Sequence, residues 1–92
     1  METESFAGLP GADLVAAGLR DLADGRETVA SLLVQVGAPR LRQLGIPVPG
    51  ADAPEHRLYA VLQQESGDAA HSRYNALIGR LVSFERALAC AS

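Results

Sequence analysis

The chain of 92 residues has no tryptophan, no lysine, one cysteine, one methionine, and only two phenylalanines and two tyrosines. Each shortage excludes something. With so few aromatics, leucine and valine must form most of any core. A lone Cys90 cannot form an internal disulfide, and a reducing compartment is the natural setting. No segment approaches the roughly 20 apolar residues needed to span a bilayer. The opening METESFAGLPG is acidic and lacks a long apolar run, so it does not read as a secretory signal. A cytoplasmic protein with no membrane contact is therefore expected. The formal net charge is −3 and neither half of the chain is basic. A general nucleic-acid binder needs a positive face to displace counterions, so that class is disfavoured.

Missing motifs narrow the field further. There is no GxGxxG, no GxxxxGK[ST] and no HExxH, hence no phosphate cradle and no metalloprotease helix. The nitrogen and sulfur candidates for a metal are His56, His71 and Cys90. On one helix His71 and Cys90 would stand ~28 Å apart, at 1.5 Å per residue, too far to share an ion. Neither a metal nor a cofactor is expected. Asp13, Asp21 and Asp24 decorate the first helix without inward-facing partners, and read as a solvated face.

What the sequence has in quantity is alanine, 16 residues, within a hydrophobic share of 48%. That share is ordinary for a globular protein and too high for a disordered one. Alanine favours helix and lets helices approach closely while burying little area. Together with glycine and the all-arginine basic set, it points to a GC-rich coding sequence and a bacterial origin. Ninety-two residues make one domain with a single core.

Residues 1–9 read as a flexible N-terminal arm and residues 10–92 as one helical domain. Pro10 sits where proline often opens a helix. Val15, Leu19 and Leu22, with Leu14 beside them, predict a helix over 11–24, with Gly25 as its C-terminal cap. Gly18 falls in that apolar stripe and costs about 1 kcal/mol against alanine, unless another helix packs closely there. Val29, Leu32, Leu33 and Val36 predict a second helix over 27–36, ended by Gly37. Pro39 opens a short piece, PRLRQL, stopped by Gly45. IPVPG, residues 46–50, cannot be helical and reads as a linker. A fourth helix is predicted over 52–66, with Asp52 and Glu55 in the spacing of a capping box and Leu58, Val61 and Leu62 facing inward. Gly67 ends it, and Asp68 is placed to cap a last helix over 69–89. No strand pattern or repeat occurs. The predicted fold is all-α: a small antiparallel bundle of four helices plus one short helix.

The stretch HSRYNALIGRLVSFERAL carries the clearest pattern. Tyr74, Leu81 and Leu88 share one heptad position, and Ala70, Leu77, Phe84 and Ala91 share the other; Ile78 and Val82 widen the stripe. This helix is expected to be the spine of the bundle. Its other face carries Arg73, Arg80, Ser83 and Arg86. The arginines read as a solvated face or, functionally, as a strip that meets an acidic partner. His71 and Asn75 are one turn apart and can touch. A catalytic histidine would need a carboxylate or nucleophile beside it, and partial burial with a hydrogen bond is the plainer account.

TVASLLVQVGAPRLRQLG, residues 28–45, has the outline of a helix-turn-helix, with Arg40 and Arg42 on its second piece. About six residues make a short recognition helix, Pro39 removes an N–H that could meet a phosphate, and the surrounding charge is acidic. The leading expectation is a small non-catalytic module that acts by binding another protein, with self-association as a secondary expectation. A small DNA-binding regulator using Arg40 and Arg42 is the alternative. An enzyme around His71 and Asn75 stands third and would need a pocket at that helix start.

Overall fold

Every regular element among the described residues of the computed structural model, 8–91, is helical, so the all-α expectation holds. The helices are α1 (Ala12–Ala23), α2 (Val29–Val36), α3 (Ala38–Gln43), α4 (Pro54–Ser66) and α5 (Ala70–Ala91), with a 3-10 turn at Gly67–Ala69 leading into α5. Of the expected arm, residues 1–7 lie outside the described residues, and Leu9 packs against the core. The radius of gyration is 12.6 Å, against about 12 Å for a folded domain of this length. No helix of the described residues is long and apolar enough to cross a membrane.

The packing order departs from expectation in one respect. The hub is α2, which packs on α1, α4 and α5; α4 also packs on α5. Four successive residues of α2, Ser31, Leu32, Leu33 and Val34, are all buried. Four successive residues sweep most of the circumference of a helix, so the middle of α2 is buried on most sides, while Val29, Ala30, Gln35 and Val36 are only partly covered. The last helix is instead the longest edge. Its 22 residues rise ~33 Å in a molecule whose longest extent is 38 Å. Of its apolar stripe Ala70, Leu81 and Phe84 are buried, while Tyr74, Leu77 and Leu88 are only partly so. The core is completed by Val15 of α1, Leu41 of α3, and Leu58 and Leu62 of α4.

Contact between α1 and α2 depends on Gly18. A Cβ there would lie 2.4 Å from both the Ala30 carbonyl oxygen and a Val34 methyl. Glycine's cost in helix propensity is thus offset by an approach that no larger residue permits. The turn joining these helices is fixed by side chains. Thr28 caps α2, its hydroxyl accepting from the Ser31 N–H at 3.1 Å while the Ser31 hydroxyl accepts from the Thr28 N–H at 2.8 Å. The Thr28 hydroxyl in turn donates to Asp21 of α1 at 2.6 Å.

Two capping expectations are corrected. Asp52 and Glu55 form no capping box: the N-cap of α4 is Ala53, in the left-handed region at φ 44°, with Pro54 at the first helical turn. Proline favours the first helical position, which sets the cap at Ala53, one residue past Asp52, and so takes Asp52 and Glu55 out of the N-cap and N3 register. Asp68 lies inside the 3-10 turn that follows the sharp bend at Gly67 and leads into α5, so it is part of a helical turn and not the residue that caps one. The IPVPG segment does more than link. Ile46 and Val48 are buried while Pro47 and Pro49 are exposed, so an extended strap closes one side of the core with alternate residues. Its position is held by Arg42, whose Nε–H donates to the Val48 carbonyl at 2.8 Å.

Candidate functional site

The α4–α5 hairpin brings together the only two tyrosines of the chain. Tyr59 of α4 and Tyr74 of α5 have ring centroids 5.6 Å apart with planes tilted by 54°. The His71 ring lies 6.5 Å from that of Tyr59, tilted by 59°. Tilted rings at these separations form the edge-to-face contacts that aromatic pairs favour. Both tyrosines are half-buried, whereas His71 is exposed. Asn75 sits one turn beyond His71, and its amide nitrogen is 3.2 Å from His71 Nε2, so the expected contact between the two is present. If the amide donates, the imidazole proton resides on Nδ1.

One turn before Tyr59 on the same side of α4 stands Glu55, exposed and without an ion-pair partner among the described residues. Burial pushes the Tyr74 phenol above its ordinary pKa, and the negative charge of Glu55 adds to that rise. The neutral phenol is therefore the standing form, and the face as a whole is aromatic and acid-flanked.

The arginines of α5 differ in how far they are engaged within the chain. Arg73 is half-buried and donates to Glu65 at 3.0 Å and to the Ser66 hydroxyl at 2.8 Å. Arg80 reaches Asp13 of α1 at 3.1 Å. Both lie at the border of the buried arc and tie α5 to its neighbours. Arg86 is exposed and has no ion-pair partner among the described residues.

In the helix-turn-helix candidate a single residue, Gly37, separates α2 from α3. Both arginines of α3 are exposed, yet each is engaged within the chain: Arg40 donates to Gln43 at 3.1 Å, and Arg42 to the strap. Open hollows lie beneath the strap, beside Arg26 and Arg57, and between Val36 and Pro54. His71 and Asn75 line none of these. Among the described residues no three His, Cys, Asp or Glu side chains gather closely enough to hold a metal ion, and Cys90 is an exposed free thiol.

Sequence reasoning missed the tyrosine pair, though a signal existed. In a helical hairpin, residues equidistant from the turn face one another. Tyr59 and Tyr74 are equidistant from the Ser66–Gly67 junction where α4 ends. Comparisons with protein-family models, with curated proteins and with solved structures found no match to this chain.

Proposed function

We propose that this chain is a small, non-catalytic helical module of the cytoplasm that works by binding another protein. The observation that supports this reading is the Tyr59–Tyr74 pair, half-buried on the surface beside His71 and Asn75. Tyrosine and arginine are the residues over-represented at interface hot spots, because they offer large contact area with a polar tip at small entropic cost. Arg86, unpaired among the described residues, and the partly engaged Arg73 and Arg80 supply a polar rim on the same helix.

The test is affinity capture from cells that make the protein, using wild-type chain and the Tyr59→Ala and Tyr74→Ala variants in parallel. A protein retained by wild type and lost by variants with unchanged helical circular dichroism supports the reading. Equal retention by all three, or retention of nothing above the blank resin, overturns it.

Self-association is a subsidiary form of the same reading. The accessible surface of 5279 Å² is close to the ~5,100 Å² expected of a folded monomer of this mass, so dimerisation is not needed to complete its burial. Sedimentation under reducing conditions decides between the two states. A DNA-binding role through Arg40 and Arg42 has less support, since α3 has six residues and the Arg42 Nε–H is committed to Val48.

A further inference from the structure

We infer that the face formed by Glu55, Tyr59 and Tyr74 receives a cationic side chain, arginine or lysine, carried on a basic segment of the partner protein. The inference rests on the protein-binding reading above and names what that partner presents.

Three observations lead to it. First, the two rings are packed together on one face, half-exposed, and an aromatic ring attracts a cation over its π-face. Second, Glu55 stands one helical turn from Tyr59 and is exposed. Among the described residues Glu55 pairs with no arginine, as is also true of Asp52, Asp68 and Glu85, and of these four Glu55 is the one a single helical turn from Tyr59. Third, no arginine of the chain is found against these rings: Arg57 bonds Glu27, and Arg73 bonds Glu65 and Ser66. The face thus carries acceptors for positive charge and, among the described residues, no arginine to fill them. A neutral or acidic partner segment would leave Glu55 desolvated without compensation, whereas a guanidinium or ammonium satisfies both carboxylate and ring. The net charge of −3 favours the approach of such a segment from a distance.

The chain carries its own reporter for the test. It has no tryptophan and two tyrosines, both in this face, so intrinsic tyrosine emission reads the site directly. A hexa-arginine peptide is titrated into the full chain at low ionic strength, with a hexa-glutamate peptide as control. The expected result is a saturable change in emission with the basic peptide alone. Glu55→Gln, an exposed change that leaves the fold intact, should weaken binding about three-fold. Asp24→Asn removes the same charge from the loop after α1 and should leave the affinity near that of wild type. No saturable change with hexa-arginine overturns the inference. Equal weakening by Glu55→Gln and Asp24→Asn also overturns it, since attraction to net charge alone would then account for the binding. Either failure leaves the broader reading to be decided by capture, where a partner with no basic segment would still be retained.

Discussion

Gly18 of α1 lies so close to Ala30 of α2 that a methyl group on it would come within 2.4 Å of the Ala30 carbonyl oxygen. The obstructing atom is backbone, which cannot swing aside. Gly18→Ala therefore drives α1 off α2 and should destabilise the domain by about 1–3 kcal/mol despite the better helix propensity of alanine. Gly79 is the contrast: it is helical, exposed, and its Cβ would meet nothing within 4 Å. Gly79→Ala should stabilise by about 0.5–1 kcal/mol. Urea denaturation of the two variants checks both signs, and a neutral Gly18→Ala would show that the helices are not held at this distance.

Ala53 adopts φ 44° and caps α4 without a side-chain acceptor. Alanine is poor at both tasks. Asparagine tolerates the left-handed region better than alanine does. Ala53→Asn should raise stability by about 1 kcal/mol, seen as a higher melting temperature by circular dichroism.

The join between α1 and α2 should set part of the acid limb of stability. The Thr28 hydroxyl, followed by the Arg26 guanidinium, holds the Asp21 carboxyl below its ordinary value of 3.8. A depressed folded-state pKa means the unfolded chain binds the proton first as pH falls. The contribution of Asp21 is thus present above its ordinary pKa and lost as pH falls through the folded value. Asp21→Asn should flatten stability against pH in that window. Thr28→Ala, which also removes the cap of α2, should cost about 1 kcal/mol at every pH above it.

Glu85 has the opposite sign. It lies beside Leu81 and Gly37, and burial raises its pKa above the ordinary 4.5, with Arg40 offsetting only part of the effect. Here the unfolded chain loses its proton first as pH rises, so stability present below the ordinary value is lost as pH climbs through the folded one. Glu85→Gln should melt above wild type near neutral pH and together with it at about pH 3. The reverse order, a lower melt for the variant at neutral pH, would mean that the Arg40 attraction outweighs the desolvation.

Much of the fold was legible because helix signals in this chain are local. Apolar spacing, glycine stops and proline starts place all five helices within about two residues of their observed ends. The Asp52–Glu55 box fails because a proline two residues on resets the start of α4, a competition that pattern alone does not rank. The central role of α2 was available in VASLLVQV, which has only two polar residues in eight, whereas the last helix is longer but carries polar residues along one whole face. The Arg80–Asp13 pair joins residues 67 apart in sequence, and no spacing rule reaches that far. Of the face around Tyr59, the contact of His71 with Asn75 was readable from a four-residue interval. The aromatic pairing depended on the register of the α4–α5 hairpin, which requires knowing that the turn at Gly67 is tight.

The placement of α2 carries a consequence for how the molecule comes apart. Eight residues are too few to hold a helix in water unaided, so this segment is ordered only while α1, α4 and α5 surround it. Withdrawing any one of them uncovers leucines that the others alone cannot shelter. The domain should therefore melt in a single concerted step, with the backbone amides of residues 32–36 exchanging only through complete unfolding.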